Sequence, residues 1–422
     1  MYWLVEDEKQ LEVLLNSGFK EAFIEVIPLN DQIHPNNNEI SLVYLRPLNA
    51  LKGFMICITH SEAFSVNNTL VNALIQKFDV LYCRDKKEML HYFPNKALFD
   101  INTPPHPYIR PTTRAHDIMY SKHKENPNIN LFIPIVKHYE LCETIFENLK
   151  ANINNKKTDY DEFFNNKVSV VFNAIERSGI RIQNEIFEGY FHPVSSEYVH
   201  TQFNLKTLTT RPSNKFKGVN YAALNKENGC RKSFIPRNNY FLELDISAYH
   251  PSLCCRLVDY KFPTTDIHKH MAKMYNVDYQ KSKELTFKQL YGGVFDKYKD
   301  LEFFSKISKY VDSMWKTFQS GGEVKCPISG YIYQKDTYKE MNPQKLFNYL
   351  LQNLETSMNV CILWDVLKIL RSCKTKLILY TYDSFLFDVD EEEEEILDDI
   401  KKVFQKYELN LKIKQGYDYD FN

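Results

Sequence analysis

The chain has 422 residues, which is long enough for two or three domains with substantial hydrophobic cores. Its formal net charge of -1 excludes a globally basic protein, so a nucleic-acid partner would have to bind a local basic surface. The nine cysteines form no CxxC pair and no Cys/His cluster, which argues against a disulfide framework and against a zinc site. The first residues lack the pattern of a signal peptide, and no apolar run reaches about 18 residues. We therefore expect a soluble cytoplasmic protein with no membrane partner.

Residues 1–150 have the pattern of an α/β domain. Strand-like apolar runs lie at 22–27, 40–45 and 53–58, and helical spacing is found over 69–77 and 136–149. Segment 151–166 is rich in Asn and Lys and is the best candidate for a linker. An amphipathic helix is predicted over 167–177, and Gly179 is expected to end it.

Two apolar segments, far apart in the chain, each lead to one aspartate. The run 241–244 precedes Asp245 and has the character of a buried strand. Segment 377–389 is rich in β-branched and aromatic residues, and Tyr382-Asp383-Ser384 is a polar break suited to the turn of a hairpin. Two carboxylates at the tips of adjacent buried strands are unfavourable unless a cation neutralises them. The sequence therefore predicts a metal site at Asp245 and Asp383.

Residues 205–237 are polar and basic, with Glu227 as the single acid. A solvated loop region would explain this composition, whereas aromatic residues placed among the cations favour a nucleic-acid groove. The cations are Lys206, Arg211, Lys215, Lys217, Lys226, Arg231, Lys232 and Arg237, and the aromatic residues are Phe216, Tyr221 and Phe234.

Two helices are predicted over 262–275 and 280–291. The second places Lys283, Phe287 and Tyr291 at four-residue intervals, so they share one face of the helix. Gly292-Gly293 is expected to end this helix. A cation, a flat ring and a phenol in line could bind a phosphate at one end and stack on a base at the ring. The alternative interpretation is an amphipathic helix whose aromatic residues form a core stripe.

The C-terminal part is predicted to contain a hairpin and two further helices. The hairpin covers 323–336, and Pro343 is expected to open a long helix over 344–371 in which Asn348 and Gln352 share a face. The acidic run after Val389 would suit a disordered tail. Apolar residues follow it at helical spacing, however, which favours the N-terminus of a helix.

The order of these elements from residue 167 to the C-terminus resembles the polymerase module of family A DNA polymerases. The strongest matches are LELDISAYHPSL with Asp245, the Asp266-Ile267-His268 triplet, Lys283-x3-Phe287-x3-Tyr291-Gly292, and YDSFLFDV with Asp383. Further matches are NAIERSGIRI, LTTRPS with Arg211, GCRKSF, and Asn348-x3-Gln352.

The resemblance implies a template-directed DNA polymerase that adds dNTPs to a primer 3′ end, with primer–template DNA and dNTPs as its partners. The implied fold class is α+β and α/β. It comprises a right-hand palm with an antiparallel sheet and helices, together with helical fingers, preceded by an RNase-H-like α/β domain. In this interpretation 167–239 is a reduced thumb and basic primer–template segment, 240–260 and 323–422 form the palm, and 261–322 forms the fingers.

The resemblance also implies roles for individual residues. Phosphoryl transfer of this kind uses two divalent ions, and Mg²⁺ prefers oxygen ligands, with Mn²⁺ able to substitute. The metal ligands would be Asp245, Asp383 and the backbone carbonyl of Ile246, and Lys283 would be the catalytic cation. The nucleotide would be bound by His268, Phe287, Tyr291, His250 and Lys281, and the DNA by Arg211, Arg231, Lys232, Asn348 and Gln352.

The chain also departs from the family pattern. His250 stands where the family usually has a glutamate that excludes a ribose 2′-hydroxyl, and its ring is expected to fill the same space. Tyr279 replaces an arginine, so Lys281 is expected to take over a phosphate contact. Asp383 is followed by Ser384 instead of a second acid, as in related RNA polymerases. Only residues 183–198 occupy the place of the long helical thumb, so we expect low processivity or a replisome partner that replaces the thumb.

The family carries a 3′–5′ exonuclease domain at the position of residues 1–150. Glu25 lies in a strand-like segment without an Asp-x-Glu pair, and Asp85, Glu88, Asp100 and Glu140 fall outside any clear motif. We therefore expect an exonuclease-like domain with a degenerate site.

Two alternative functions are retained from the sequence. One is a single-subunit RNA polymerase or primase-like nucleotidyltransferase, which His250 and the Asp383 hairpin disfavour. The other is a non-catalytic nucleic-acid-binding replisome subunit, which the presence of both Asp245 and Asp383 disfavours. The Lys, Asn, Ile and Tyr bias suggests an AT-rich genome, such as that of a phage in its host's cytoplasm.

Overall fold

The structure is a computed structural model that describes residues 2–105, 117–118, 121, 126, 128–194, 196–214 and 219–421. The chain divides into two compact units. The first comprises the chain up to Lys157 together with Phe164–Asn173, and the second comprises Thr158–Phe163 and the chain from Ala174 onward.

The described part of the first unit is built on one six-stranded sheet. Its strands are β1 Trp3–Val5, β2 Glu21–Pro28, β3 Ile40–Pro47, β4 Phe54–Cys57, β5 Val80–Cys83 and β6 Leu98–Asp100. They lie in the order β1-β4-β3-β2-β5-β6. The β4-β3-β2 strands are antiparallel, whereas β1 is parallel to β4, β5 to β2 and β6 to β5. The strands predicted at 22–27, 40–45 and 53–58 are confirmed.

Helices cover both faces of this sheet. They are α1 Glu8–Leu15, α2 Asn68–Lys77, α3 Lys86–Tyr92, α4 Ile135–Leu149 and α5 Ala151–Asn154. One apolar cluster joins the sheet to α1, α2 and α3, and a second joins its other face to α4. Because both faces are buried, β2 and β3 are apolar along nearly their whole length instead of alternating.

The segment 151–166, which the sequence predicts as a linker, is largely helical. This segment contains α5 and α6 Asp159–Phe163, and a π-helical turn at Phe164–Val168 leads into α7 Ser169–Ser178. Tyr160 and Phe164 are buried at helical spacing within the Asn- and Lys-rich composition. Asn165 is also buried, and its side chain pairs with the backbone N–H and carbonyl of Asp100. The polar composition therefore includes residues that hold the first unit together.

The second unit begins with short strands around a small antiparallel sheet. They are β7 Ile180–Ile182, β8 Tyr198–Val199, β9 Phe203–Asn204, β10 Ser213–Asn214 and β11 Phe234–Ile235. The sheet has the order β11-β7-β8, and β9 pairs with β10. Between β7 and β8, the described residues contain one short helix, α8 Asn184–Phe187.

A four-stranded antiparallel sheet lies at the centre of the second unit. The strands of this region are β12 Tyr240–Ile246, β13 Val324–Lys325, β14 Ile332–Tyr333, β15 Lys376–Thr381, β16 Ser384–Val389 and β17 Leu411–Gly416. The sheet has the order β15-β16-β12-β17, and β13 and β14 form the predicted separate hairpin.

The remaining helices pack on this sheet and on one another. They are α9 Tyr249–Leu257, α10 Ile267–Tyr275, α11 Tyr279–Gly292, α12 Glu302–Gln319, α13 Pro343–Ile369 and α14 Glu395–Lys406. Asn342 caps α13 by accepting a hydrogen bond from the N–H of Lys345, and Pro343 is the first helical residue, as predicted. α13 packs against α9, α11, α12 and α14, which explains why it is buried nearly all round.

Helix α10 begins later than its predicted start at residue 262. Asp266 is its N-cap and accepts a hydrogen bond from the N–H of Lys269, so the helix starts at Ile267. The predicted end of α11 is confirmed, because Gly293 has a φ of 97° that a residue with a Cβ rarely adopts. Among the helices of the described ranges, none is long and apolar enough to span a membrane.

Candidate active site

The central sheet brings Asp245 and Asp383 to neighbouring strand ends. Asp245 lies directly opposite Ser384 in the β12–β16 pairing, one residue from Asp383. The Ile246 N–H donates a 2.8 Å hydrogen bond to the carbonyl of Asp383. The side chain of Asn359 on α13 donates to the carbonyl of Tyr382 at 2.8 Å. Both carbonyls of the turn are therefore held by the surrounding structure.

Strained backbone follows one aspartate and precedes the other. Ala248, three residues after Asp245, has a φ of 51° and turns the chain into α9. Tyr382, immediately before Asp383, has a φ of 65°. Such conformations cost about 1–3 kcal/mol each for residues other than glycine, so the fold accepts unfavourable backbone at both ends of this site.

The two carboxyl groups repel one another through a protein-rich environment. Burial and then the charge of Asp245 raise the pKa of Asp383 to about 6. Burial and the charge of Glu243 raise the pKa of Asp245, against the opposing effect of nearby lysines such as Lys412. The side chain of Asp383 is exposed at the turn, and that of Asp245 is half-buried. Protein nevertheless surrounds both carboxyl groups closely, so burial is the largest cause of both raised pKa values. A divalent cation would relieve both costs, which fits the predicted metal site.

Helix α11 presents the predicted face of Lys283, Phe287 and Tyr291. The rings of Phe287 and Tyr291 stack with centroids 5.8 Å apart, and Nζ of Lys283 lies 4.8 Å from the centre of the Tyr279 ring. Tyr291 is 38% exposed and Phe287 is half-buried. The core side of this helix is formed by other residues, namely Ser282, Thr286, Gln289 and Leu290. The alternative of an aromatic core stripe is therefore wrong.

His268 lies beside this face as a neutral ring. It is 5% exposed, and its ring centroid is 5.9 Å from those of both Tyr279 and Phe287. Burial and then the positive charge of Lys283 lower the pKa of His268 to about 4. At neutral pH it can therefore donate a hydrogen bond to a phosphate but contributes no positive charge.

His250 contacts the tyrosine of α11 directly. The hydroxyl of Tyr291 and Nδ1 of His250 are 2.7 Å apart, and the two rings meet edge to face. Nε2 of His250 lies 3.5 Å from a carboxylate oxygen of Glu355 on α13. The same oxygen is 3.0 Å from Nε of Arg211, whose guanidinium lies 3.6 Å from the centre of the Tyr382 ring.

Asn348 and Gln352 extend from α13 towards the same region. Nδ2 of Asn348 donates a 3.1 Å hydrogen bond to the carbonyl of Tyr291 at the end of α11. Gln352 is half-buried one turn later, between Asn348 and the turn that carries Glu355.

The predicted basic surface is only partly exposed. Arg231 is buried, with its guanidinium 4.8 Å from the ring centre of Tyr419, whereas Lys232 is exposed. Arg237 is exposed but donates to the carbonyl of Ser178. Lys281 is exposed on α11 and forms an ion pair with Glu284. Lys215, Phe216 and Lys217 lie outside the described residues.

Glu355 was not singled out from the sequence, although it follows Gln352 by three residues and so lies close to it on the helix surface. Lys412 was also missed. It lies opposite Asp245 in the β12–β17 pairing, on the same face of the sheet. Its strand is positioned by Asn410, whose side chain donates to the carbonyl of Thr265 just before α10. Only the register of β17 reveals this placement.

The carboxylates noted in the first unit serve local contacts. Glu25 on β2 accepts hydrogen bonds from Arg84 in a buried pair, with the closer approach at 2.7 Å. Asp85 caps α3, and Asp100 accepts from the backbone N–H of Lys86. Glu140 is exposed and pairs with Lys137 on the same helix.

No protein-family model matches the chain, and no curated protein matches it in sequence. Among solved structures, the chain is similar to the POL domain of Pol1 from M. smegmatis, solved in complex with DNA primer-template and dNTP. The similarity covers 99% of each chain with a TM-score of 0.64, at 9% sequence identity. This chain therefore has the fold of a DNA polymerase domain.

Proposed function

We propose that this protein is a template-directed DNA polymerase that adds dNTPs to a primer 3′ end. The observation that carries the proposal is the meeting of Asp245 and Asp383 on adjacent strands, where each carboxyl group has a raised pKa. Helix α11, with its cation and aromatic face, belongs to the same unit. The polymerase fold supports the same function.

The residues fit a pair of divalent cations. Asp245, Asp383 and the backbone carbonyl of Ile246 would hold two Mg²⁺ ions, for which Mn²⁺ would substitute, because hard cations prefer oxygen ligands. When bound, such ions stabilise the negative charge that develops during phosphoryl transfer.

The chain's own side chains would bind and orient the nucleotide. Lys283 would pair with the triphosphate, supported by Lys281, and neutral His268 would donate a hydrogen bond to it. Phe287 would stack on the incoming base, as its half-buried ring on the free face of α11 allows. Tyr291 and His250 would close the sugar side of the pocket, since they contact each other at 2.7 Å.

The DNA would be bound by residues around this pocket. Arg211 would lie at the primer end, and Asn348 and Gln352 near the template. Lys232 is available for phosphate contacts because it is exposed. The buried Arg231 would contribute by shaping this surface through its contact with Tyr419.

We further propose a palm, fingers and reduced thumb in the second unit and an RNase-H-like first unit. The central antiparallel sheet supports the palm, and the short α8 supports a reduced thumb. The β4-β3-β2-β5-β6 order, with three antiparallel strands followed by parallel ones, supports the RNase-H-like assignment. The Glu25–Arg84 pair supports a degenerate exonuclease site. A replisome partner in place of the thumb and a phage origin also belong to this proposal.

Primer extension on a DNA template tests the function. The wild type should extend a labelled primer with dNTPs and Mg²⁺, and Asp383→Asn should reduce the rate by about a thousandfold or more. Asp365→Asn is the matched control, because Asp365 is an ion-paired acid of α13 outside the site. A wild type that binds DNA without extending it would support the non-catalytic alternative. Equal use of dATP and ATP would support an RNA polymerase.

A further inference from the structure

The carboxylate of Glu355 lies between His250 and Arg211, two side chains of the candidate site. Its side chain is 2% exposed on α13, a helix that is buried along most of its length. One carboxylate oxygen faces both Nε2 of His250 at 3.5 Å and Nε of Arg211 at 3.0 Å. The second oxygen is 3.5 Å from Nη2 of Arg211.

On one side, Glu355 faces the imidazole of His250. A carboxylate facing Nε2 favours the tautomer in which Nε2 is protonated and Nδ1 is an acceptor. The hydroxyl of Tyr291, 2.7 Å away, can then donate to Nδ1. His250 is buried and meets the Tyr291 ring edge to face, so orienting one ring orients the other.

On the other side, Glu355 holds the guanidinium of Arg211. The side chain of Arg211 is 29% exposed, and its guanidinium contacts both the carboxylate and the Tyr382 ring. Its backbone carbonyl also accepts a hydrogen bond from the hydroxyl of Thr207. Because Tyr382 immediately precedes Asp383, the arginine is fixed beside the turn that carries the second aspartate.

We propose that Glu355 is a positioning residue shared by two functions, selection of the nucleotide sugar at His250 and Tyr291 and recognition of the primer end by Arg211. This inference rests on the proposed polymerase function and extends it. The carboxylate touches neither substrate. It acts by orienting one side chain of each pair.

Two substitutions of Glu355 separate its two contacts. Glu355→Gln keeps an oxygen that can face Nε2 of His250 but loses the charge that pairs with Arg211. Glu355→Ala loses both contacts. Two ratios of kcat/KM are measured. The sugar preference is the value for dATP divided by that for ATP, and the primer preference is the value for a matched primer end divided by that for a mismatched one. Asp365→Ala, an ion-paired acid of the same helix, is the control.

We expect Glu355→Gln to lower the preference for matched primers by about tenfold, the factor for one lost hydrogen bond to a charged group. Its sugar preference should stay within about twofold of wild type, the range expected for independent sites. Glu355→Ala should lower both preferences by about tenfold. The loss in the double variant Glu355→Gln plus Arg211→Ala should be smaller than the sum of the two separate losses, because both changes disturb the same contact.

The possible outcomes separate this inference from the function on which it rests. A wild type that extends no primer with either Mg²⁺ or Mn²⁺ rejects both. An active Glu355→Ala enzyme with both preferences unchanged rejects the shared positioning role alone. If either variant fails to fold, Glu355→Asp replaces it. Aspartate keeps the negative charge but moves the carboxylate away from His250 and Arg211 by the length of one methylene group. Loss of both preferences in that variant supports the shared positioning role, and unchanged preferences reject it.

Discussion

At the scale of single residues, Asp383 is where the cost of the site is concentrated. A carboxyl group with an ordinary pKa of 3.8 is raised to about 6, first by burial and then by the charge of Asp245. Between these two values the folded protein holds more protons than the unfolded chain, so the stability of the metal-free protein falls as pH rises through this range. The protonated carboxyl group also binds a cation poorly.

We therefore expect Mg²⁺ to stabilise the protein more at high pH than at low pH. Thermal unfolding should show a larger rise in Tm on adding Mg²⁺ at about pH 7.5 than at about pH 5, because Asp383 is ionised only at the higher pH. Asp383→Asn should remove most of this difference. A Mg²⁺ effect that is equal at both pH values in the wild type would contradict the assignment of Asp383 as a ligand.

Lys283 is expected to be the most important cation of α11. Lys283→Ala should lower kcat/KM for dNTPs by about a hundredfold, the usual loss for one charged group that stabilises a transferring phosphate. Lys288→Ala is the control, because Lys288 is exposed elsewhere on the same helix. Single-nucleotide incorporation at varied dNTP concentration measures both. Similar losses in the two variants would show that only the overall charge of the helix matters.

At the scale of secondary-structure elements, most of the fold could be predicted from the sequence. The strand that contains Asp245 and the strand that follows Asp383 are apolar runs. Their β-branched and aromatic residues favour strands over helices. α13 was predictable because Pro343 opens it and apolar residues continue for many turns. The helices within the predicted linker could not be foreseen because Tyr160 and Asn165 are buried, which composition alone does not indicate.

The candidate site was less predictable than the elements that carry it. The aspartates and the α11 face follow from spacing, but Glu355 and Lys412 depend on which elements pack together. The charge state of His268 depends on burial and on Lys283, which meet only in the folded chain. Sequence patterns therefore located the candidate reacting groups and missed the neighbouring side chains that contact them or lie opposite them.

The end of α11 offers a test of the backbone at this scale. Gly293 has φ 97° and ψ 151°, a region that is open essentially only to glycine, and a Cβ there would lie 3.3 Å from Nε2 of Gln344. Gly293→Ala should therefore destabilise the protein by about 1–3 kcal/mol. Urea unfolding followed by circular dichroism measures the change.

Gly292 provides the matched comparison for this prediction. It is the last residue of α11, and nothing lies within 4 Å of the position of an added Cβ. Gly292→Ala should be neutral or stabilising by about 0.5–1 kcal/mol, because alanine restricts the unfolded chain more than glycine does. Equal destabilisation by both substitutions would show that the φ of Gly293 is not the cause.

At the scale of the whole molecule, the short segment between β7 and β8 has consequences for DNA binding. A long helical pair there would add phosphate contacts along the duplex, whereas α8 has four residues. We therefore propose that the described part of this segment contributes little to keeping the polymerase on its product after each addition.

We expect the isolated protein to add only a few nucleotides in each encounter with DNA. Primer extension with an excess of unlabelled primer–template as a trap measures this directly. Added salt should shorten the products further, since the remaining contacts are largely ionic. The same reaction without the trap is the control for intrinsic activity. Long products formed in the presence of the trap would mean that another surface of the protein takes the role of the thumb.

The hydrogen bond from the Ile246 N–H to the carbonyl of Asp383 joins two main-chain groups. No side chain takes part in it, so any pair of residues that keeps the strands paired would place the second acid equally well. Substitutions that keep the flanking side chains apolar and the strands paired can therefore leave the acids in register. A chain can in this way retain the architecture of the M. smegmatis domain when nine in ten of its residues differ.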